Sequence, residues 1–186
     1  MPREYTHLEQ IRLDKLERLG ALGINPYPNK AQRTATNLQA IQAFEQAEAS
    51  GQSEGVKATL VGRLRSMRPM GKLTFAHIED GYGRVQLFLR ADEVGQENLD
   101  LFSREFDLGD FIQAEGEMFR TRTGEVSLRV NTFKLLAKAI TPLPAAKDEV
   151  VDGKVVRHAT FTDPETRYRQ RYADLAINPE VRKIFR

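Results

Sequence analysis

Phe75 and Gln86 lie eleven residues apart in FAHIEDGYGRVQLFL (Phe75–Leu89), a stretch that reads as two short strands around a tight turn. Strand side chains alternate between faces. Ala76 and Ile78 fall on one apolar face, as do Val85, Leu87 and Leu89. The other face is polar, yet it carries Phe75 beside His77 and Glu79, and Phe88 beside Arg84, Gln86 and Arg90. A phenyl ring left outside is a stacking platform for a nucleobase. A glutamine amide offers a donor and an acceptor, which suits the edge of a base. The same parity also admits Phe75 as a plug at one end of a barrel. Phe88 reads more readily as filling a gap at the barrel's edge, because bulges and barrel ends break parity.

Covalent chemistry has no comparable footing. The sequence contains no GxxxxGK[ST], HExxH, GxSxG or GxGxxG. Its three histidines, His7, His77 and His158, are far apart and there is no cysteine, so neither a zinc site nor a disulfide is expected. Glu79 and Asp80 adjoin a turn, where carboxylates cap and solubilise. No catalytic residue and no metal ligand is expected.

The formal net charge of +2 hides an uneven distribution. Lysine and arginine dominate Lys57–Arg90 and Met118–Lys138, whereas nine acids between Ala91 and Glu117 oppose only Arg104. Basic strands around an acidic insert suggest a surface for polyanions, with solvated strand faces as the alternative. The chain is 40% hydrophobic and 29% charged, ordinary for a globular protein. It has no apolar run of about 18 residues, and its N-terminus is too charged for a signal peptide. No membrane association and a cytoplasmic location are expected.

The elements that position these residues are legible in outline. Thr6 and Glu9 form a capping-box pattern, followed by a helical stripe of Leu8, Ile11, Leu16, Leu19 and Leu22. That helix is expected to dock on its own domain or on a partner subunit, with RNA as the alternative. A second helix is predicted over Asn37–Ala49, with Asn37 as cap, before a SGQSEG joint. The pattern then turns to period two. Val56–Met67 places Ala58, Leu60 and Leu64 inward and Arg63 and Arg65 outward. After the Phe75–Leu89 hairpin, Asn98–Phe106 reads as a short helix with Leu99, Phe102 and Phe106 inward. Asp110–Phe119, with Ile112, Ala114, Gly116 and Met118 on one face, and a strand opening at Val126, with Val126, Leu128 and Val130 inward, complete five strands.

The order β-β-β-α-β-β predicts an α+β chain whose centre is a five-stranded OB-fold barrel. The predicted division is a helical extension (1–55), the barrel (56–138), and a linker with the start of a further domain (139–186). Within the last segment a small hairpin is expected around VDGK and a helix from Pro179.

Several stretches together resemble the class II lysyl-tRNA synthetases: VGRLRSMRPMGKLTFAHIEDGYGRVQLFL (Val61–Leu89), DLGDFIQAEGEMFRTRTGEVSL (Asp107–Leu128), LLAKAITPLP (Leu135–Pro144) and RYRQRYADL (Arg167–Leu175). The barrel stretches alone are also similar to the related aspartyl and asparaginyl enzymes. The resemblance implies an anticodon-binding barrel. Phe75 would stack on the central anticodon uridine and Gln86 would hydrogen-bond it. Arg68 and Glu125 would contact neighbouring anticodon bases, with Arg63 a candidate for the backbone. His77 shares the face of Phe75 and joins the site on parity alone. The implied partner is the anticodon stem-loop of tRNA.

For the full-length relative the resemblance implies ATP, Mg2+, lysine activation and a homodimer. This chain ends where the family's motif 1 helix is expected to begin, so the class II catalytic domain is expected to be missing and the chain by itself inactive. The segment 145–163 is longer than the family's usual linker. Two alternatives stand beside this reading: a free-standing OB module for single-stranded nucleic acid, and a protein-interaction module.

Overall fold

The alternation in residues 56–138 closes into a barrel because each strand keeps one apolar face. The computed structural model describes residues 4–52, 54–143, 147–151, 154–158 and 163–185. The barrel strands are β1 (Lys57–Met70), β2 (Leu73–Glu79), β3 (Arg84–Arg90), β4 (Phe111–Arg120) and β5 (Val126–Ala137). Their order around the closed sheet is β1-β2-β3-β5-β4, with β4 pairing back to β1. Every pairing is antiparallel except β3 with β5. Closure gives each barrel strand a partner on both sides along part of its length, the OB-fold solution to exposed strands.

The predicted inward residues are inside. Leu60, Leu64, Ile78, Leu87, Leu89, Ile112, Leu128 and Val130 are fully buried. Each such aliphatic side chain contributes about 1.5–3 kcal/mol relative to exposure. Gly116 marks where β4 and β5 press closest: an added Cβ would lie 1.8 Å from the Arg129 carbonyl oxygen, beside a register shift at Glu115/Gly116. Only glycine fits there.

Between β3 and β4 the helical segment starts earlier than the sequence suggested. It comprises α3 (Ala91–Val94) and α4 (Gln96–Glu105), separated by Gly95 at φ +86°. Leu99, Phe102 and Phe106 are buried as expected, and Phe133 packs edge-on against the last two rings.

Two longer helices precede the barrel. Helix α1 (His7–Ala21) begins with the predicted Thr6–Glu9 capping box. Its predicted apolar stripe is only partly used: Leu19 is fully buried, but Leu8, Ile11 and Leu22 are exposed. The helix docks instead through cations. Lys15 reaches Asp107 at 2.8 Å, Arg18 reaches Glu105 at 3.0 Å, and Arg12 donates to the Ala139 and Leu108 carbonyls.

Helix α2 (Asn37–Ala49) has the predicted span but a different cap. Thr36 accepts from the Gln39 amide, and the Gln39 side chain accepts from the Thr36 amide. Asn37 is thereby released. Its Nδ2 donates to the Ile78 and Gly83 carbonyls, and its backbone amide donates to Asp80. Helix α2 is thus fastened to the β2–β3 turn.

Lys138 was counted in the sequence as part of a basic surface, but its side chain is fully buried. Its ammonium donates to Asp107 Oδ2 (2.6 Å), Asp110 Oδ2 (2.8 Å) and the Glu105 carbonyl (2.7 Å), which uses all three donors. Asp110 Oδ1 accepts from the Ala139 amide, and Tyr27 donates to the Lys138 carbonyl. This cluster joins the end of β5 to the α4–β4 connection and to α1.

The chain forms two compact units, Met1–Ile140 and Thr141–Arg186. The first holds α1, α2 and the barrel around one core. In the second, β6 (Lys147–Val151) and β7 (Lys154–His158) pair antiparallel as the hairpin expected around VDGK; its turn residues 152–153 lie outside the described residues. Three short helices follow, α5 (Pro164–Arg169), α6 (Arg171–Ile177) and α7 (Pro179–Ile184). Here the arginine-rich RYRQRYADL has a local explanation. Arg167, Arg171 and Asn178 converge on the buried carboxylate of Asp174 at 3.0, 2.6 and 2.7 Å. Among the described residues, no helix is long and apolar enough to cross a membrane.

Candidate nucleic-acid interface

One extra residue in β1 creates the outer face of the β1–β2–β3 side. Arg63 and Leu64 pair with Glu79 and Ile78, but Ser66 pairs with His77, so Arg65 is an inserted bulge residue. Strict alternation would send Ser66 and Arg68 inward with Leu64. The bulge re-aims them outward, where they share a face with His77 and Phe75.

Register then lines up two rows across the barrel. One runs Ser66–His77–Gln86–Ser127–Phe119, and the next runs Arg68–Phe75–Phe88–Arg129. The first row is mostly polar and the second is aromatic and cationic. Apart from the buried Ser127, they floor a groove of about 1310 Å³ whose rim adds Lys72, Arg90, Arg122 and Glu125. Pockets that enclose a small ligand run to about 300–1,000 Å³, so this open trough suits an extended ligand better.

Phe75, Phe88 and Phe119 are half-buried and form one stripe, with ring centroids 5.1 Å and 5.5 Å apart in sequence along it. Phe88 therefore does not fill the barrel's edge. Parity holds through β2 and β3 without a register shift, and Phe88 is the middle ring of the outer stripe. Arg129 lies 4.9 Å from the centroid of Phe119. Arg90 pairs with Asp92. Arg68 and Arg122 are exposed and have no ion-pair partner among the described residues.

A continuous set of hydrogen bonds crosses the polar row. Gln86 Nε2 donates to Glu125 Oε2 (2.6 Å), and Gln86 Oε1 accepts from Ser127 Oγ (2.8 Å). Glu125 Oε1 lies 2.9 Å from His77 Nε2, and His77 Nδ1 lies 2.8 Å from Ser66 Oγ. Arg84 Nη2 donates to the same hydroxyl at 3.4 Å. Burial pushes the His77 imidazolium pKa down from 6.5 and outweighs the opposing pull of Glu125, with Arg84 and Arg68 adding to the depression.

Five of the six residues singled out from the sequence, Arg68, Phe75, His77, Gln86 and Glu125, line this groove. Arg63 lies apart from it, stacked 4.4 Å over Phe111 on the β1–β4 side. Arg65, the bulge residue, pairs with Glu79 at 2.8 Å. Sequence reasoning missed Ser66, Phe119, Arg122, Ser127 and Arg129. Phe119 and Arg129 were within reach of it: each stands on the outward parity of a strand whose inward residues were assigned. Ser66 was not, because its orientation depends on the bulge.

Residues 58–136 match the family model described as OB-fold nucleic acid binding domain. The chain is also similar to proteins named lysine–tRNA ligase. That of Christiangramia forsetii is 42% identical over 191 residues, covering 98% of this chain and 31% of the relative. That of Pelotomaculum thermopropionicum is 38% identical and covers 98% and 32%, and that of Roseiflexus castenholzii is 42% identical and covers 98% and 35%. The chain spans about a third of the length of these curated relatives.

Proposed function

We infer that this chain, a homologue of lysine–tRNA ligases whose residues 58–136 belong to the OB-fold nucleic-acid-binding family, recognises tRNA through its anticodon. The observation that carries this reading is the pair of transverse rows. An aromatic row with Arg68 and Arg129 at its sides provides stacking and phosphate contacts. A polar row centred on Gln86 provides hydrogen bonds for base edges one strand step away.

In this reading Phe75 stacks on the central anticodon uridine and Gln86 bonds its edge. Arg68 and Glu125 meet the neighbouring bases. Arg122 and Lys72 on the rim meet phosphates. Each stacked base is worth about 1–3 kcal/mol, and each good edge contact separates bases because the wrong base leaves buried polar groups unpaired. The ligase reaction, with its ATP and Mg2+, and a homodimeric assembly are proposed for the whole protein, to which this chain contributes specificity.

The test is direct binding of a uridine-centred anticodon stem-loop and of the same stem with a scrambled loop, followed by fluorescence anisotropy. The expected result is tighter binding of the uridine-centred loop at every salt concentration. Both affinities should fall with salt, with a log–log slope of about −0.7 per phosphate contacted in the single strand. Equal affinity for the two loops would reduce the chain to a sequence-tolerant single-strand binder. Salt-independent binding would overturn phosphate recognition altogether.

A further inference from the structure

Gln86 already has both ends of its amide engaged without RNA. Its Nε2 is held by Glu125 and its Oε1 by Ser127. The two partners do not constrain it equally. A hydroxyl can donate or accept, so Ser127 would satisfy either orientation of the amide. A carboxylate only accepts, so Glu125 alone dictates that the NH2 end faces it. Glu125 stands on the β4–β5 turn with its side chain 46% exposed, where it would otherwise be free to swing into solvent. Two contacts prevent this: Gln86 holds Oε2, and His77 on β2 meets Oε1 at 2.9 Å.

We propose that His77 is a positioning residue for base discrimination: it holds the Glu125 carboxylate against Gln86 and so fixes which donor and acceptor Gln86 presents to a base. The proposal rests on the RNA-binding reading of this groove. The geometry supplies its mechanism. Arg84 donates to Ser66 Oγ, which directs the Ser66 hydroxyl proton toward His77 Nδ1. An Nδ1 that accepts leaves the ring proton on Nε2, where it faces Glu125. The arrangement parallels the way an outer partner selects the tautomer of a metal-bound histidine. With Glu125 and Ser127 in place, Gln86 keeps one N–H and one oxygen lone pair for the ligand.

The ring's protonation state changes only its Ser66 side. The charged and polar groups that face the ring are Ser66 and Arg68 from β1, Arg84 and Gln86 from β3, and Glu125 from the hairpin. On protonation Nδ1 becomes a donor, and Ser66 Oγ must then accept from both the imidazolium and Arg84. Its own proton loses its partner, while Nε2–H, present in both the neutral and the protonated ring, still faces Glu125. Because folding depresses this pKa below 6.5, the Ser66 hydroxyl's bond to Nδ1 is complete above that value and is lost as pH falls through the lower, folded-state value, whereas the Nε2–H contact with Glu125 persists.

The experiment compares wild type, His77→Leu and His77→Gln. The ratio of affinities for uridine-centred and cytidine-centred stem-loops is measured from about pH 8 to about pH 5, and the His77 tautomer is read by NMR in the free wild type. The Nε2–H tautomer is expected near neutral pH. His77→Leu should lower the ratio about tenfold, the worth of one hydrogen bond to a charged group, while affinity for the scrambled loop changes less. His77→Gln can still donate to Glu125, so it should recover part of the ratio. An Nδ1–H tautomer, or a His77→Leu ratio equal to wild type, would overturn the proposal. If wild type itself fails to discriminate, the RNA reading falls, and the tautomer still decides whether His77 aims its proton at Glu125.

Discussion

Lys138→Ala is expected to lower stability by about 3–5 kcal/mol, the cost of removing one partner from a buried ionic cluster. The substitution leaves Asp107 and Asp110 facing each other without the ammonium that bonds both. Asp110 has no exposed side-chain surface through which water could compensate. Urea denaturation of the two proteins at neutral pH measures the difference. A loss below about 1 kcal/mol, the range of surface pairs, would mean that the cluster is not structurally important.

The same pair of proteins should differ in acid. In the wild type, burial raises the Asp107 pKa, but hydrogen bonds from Lys138 and Lys15 more than offset this and bring it below 3.8. A depressed carboxylate contributes stability that is present above its unfolded value and lost as pH falls through the folded one. Wild type should therefore weaken below about pH 4 through this group. Lys138→Ala removes the leading counterweight to burial, so its Asp107 contribution should shrink or change sign. A denaturation midpoint followed against pH distinguishes the two.

Phe75→Ala is expected to produce the second large effect, on binding. It should weaken the uridine-centred stem-loop by about 1–3 kcal/mol, one stacked base, and the scrambled loop by less. Stability should fall much less than for a core ring, because Phe75 is half-buried and its ring contact is with Phe88 at 5.1 Å. A ring pair contributes about 0.5–1.5 kcal/mol beyond area burial. A stability loss of about 3–5 kcal/mol, typical of a buried Phe, would show that the ring belongs to the core and would remove the platform from the site. Phe88→Ala is the informative companion. It removes the middle ring, on which both Phe75 and Phe119 rest.

The barrel was legible because its interior obeys a local rule. Alternation alone identified Leu60, Leu64, Ile78, Leu87, Ile112 and Leu128, all of which are buried. The outward parity of Phe75 and Gln86 followed from the same rule. What escaped was whatever depends on pairing between distant strands or on a single inserted residue. The bulge at Arg65 changes the face of Ser66 and Arg68 without leaving a compositional trace. The parallel contact of β3 with β5 brings Ser127 to Gln86 and Arg129 to Phe88, and neither neighbour is predictable from spacing. Lys138 looked like surface because lysine usually is, and only the fold assembles the two carboxylates that bury it. Asn37 looked like a cap because asparagine often is one. Thr36, one residue earlier, takes that position and leaves Asn37 for the hairpin.

The bulge in β1 also divides that strand in time. Before it, Lys57–Arg63 pairs with β4; after it, Ser66–Met70 pairs only with β2. The outer part, Arg68–Met70, is exposed, whereas Leu60 and Leu64 are fully buried. Amides in the outer ribbon can therefore exchange with solvent through local fraying, while those in the inner part must wait for the barrel to open. Arg68 and Phe75 face each other in the ribbon. RNA held there would be recorded as slowed exchange in Ser66–Phe75, with the barrel amides unchanged.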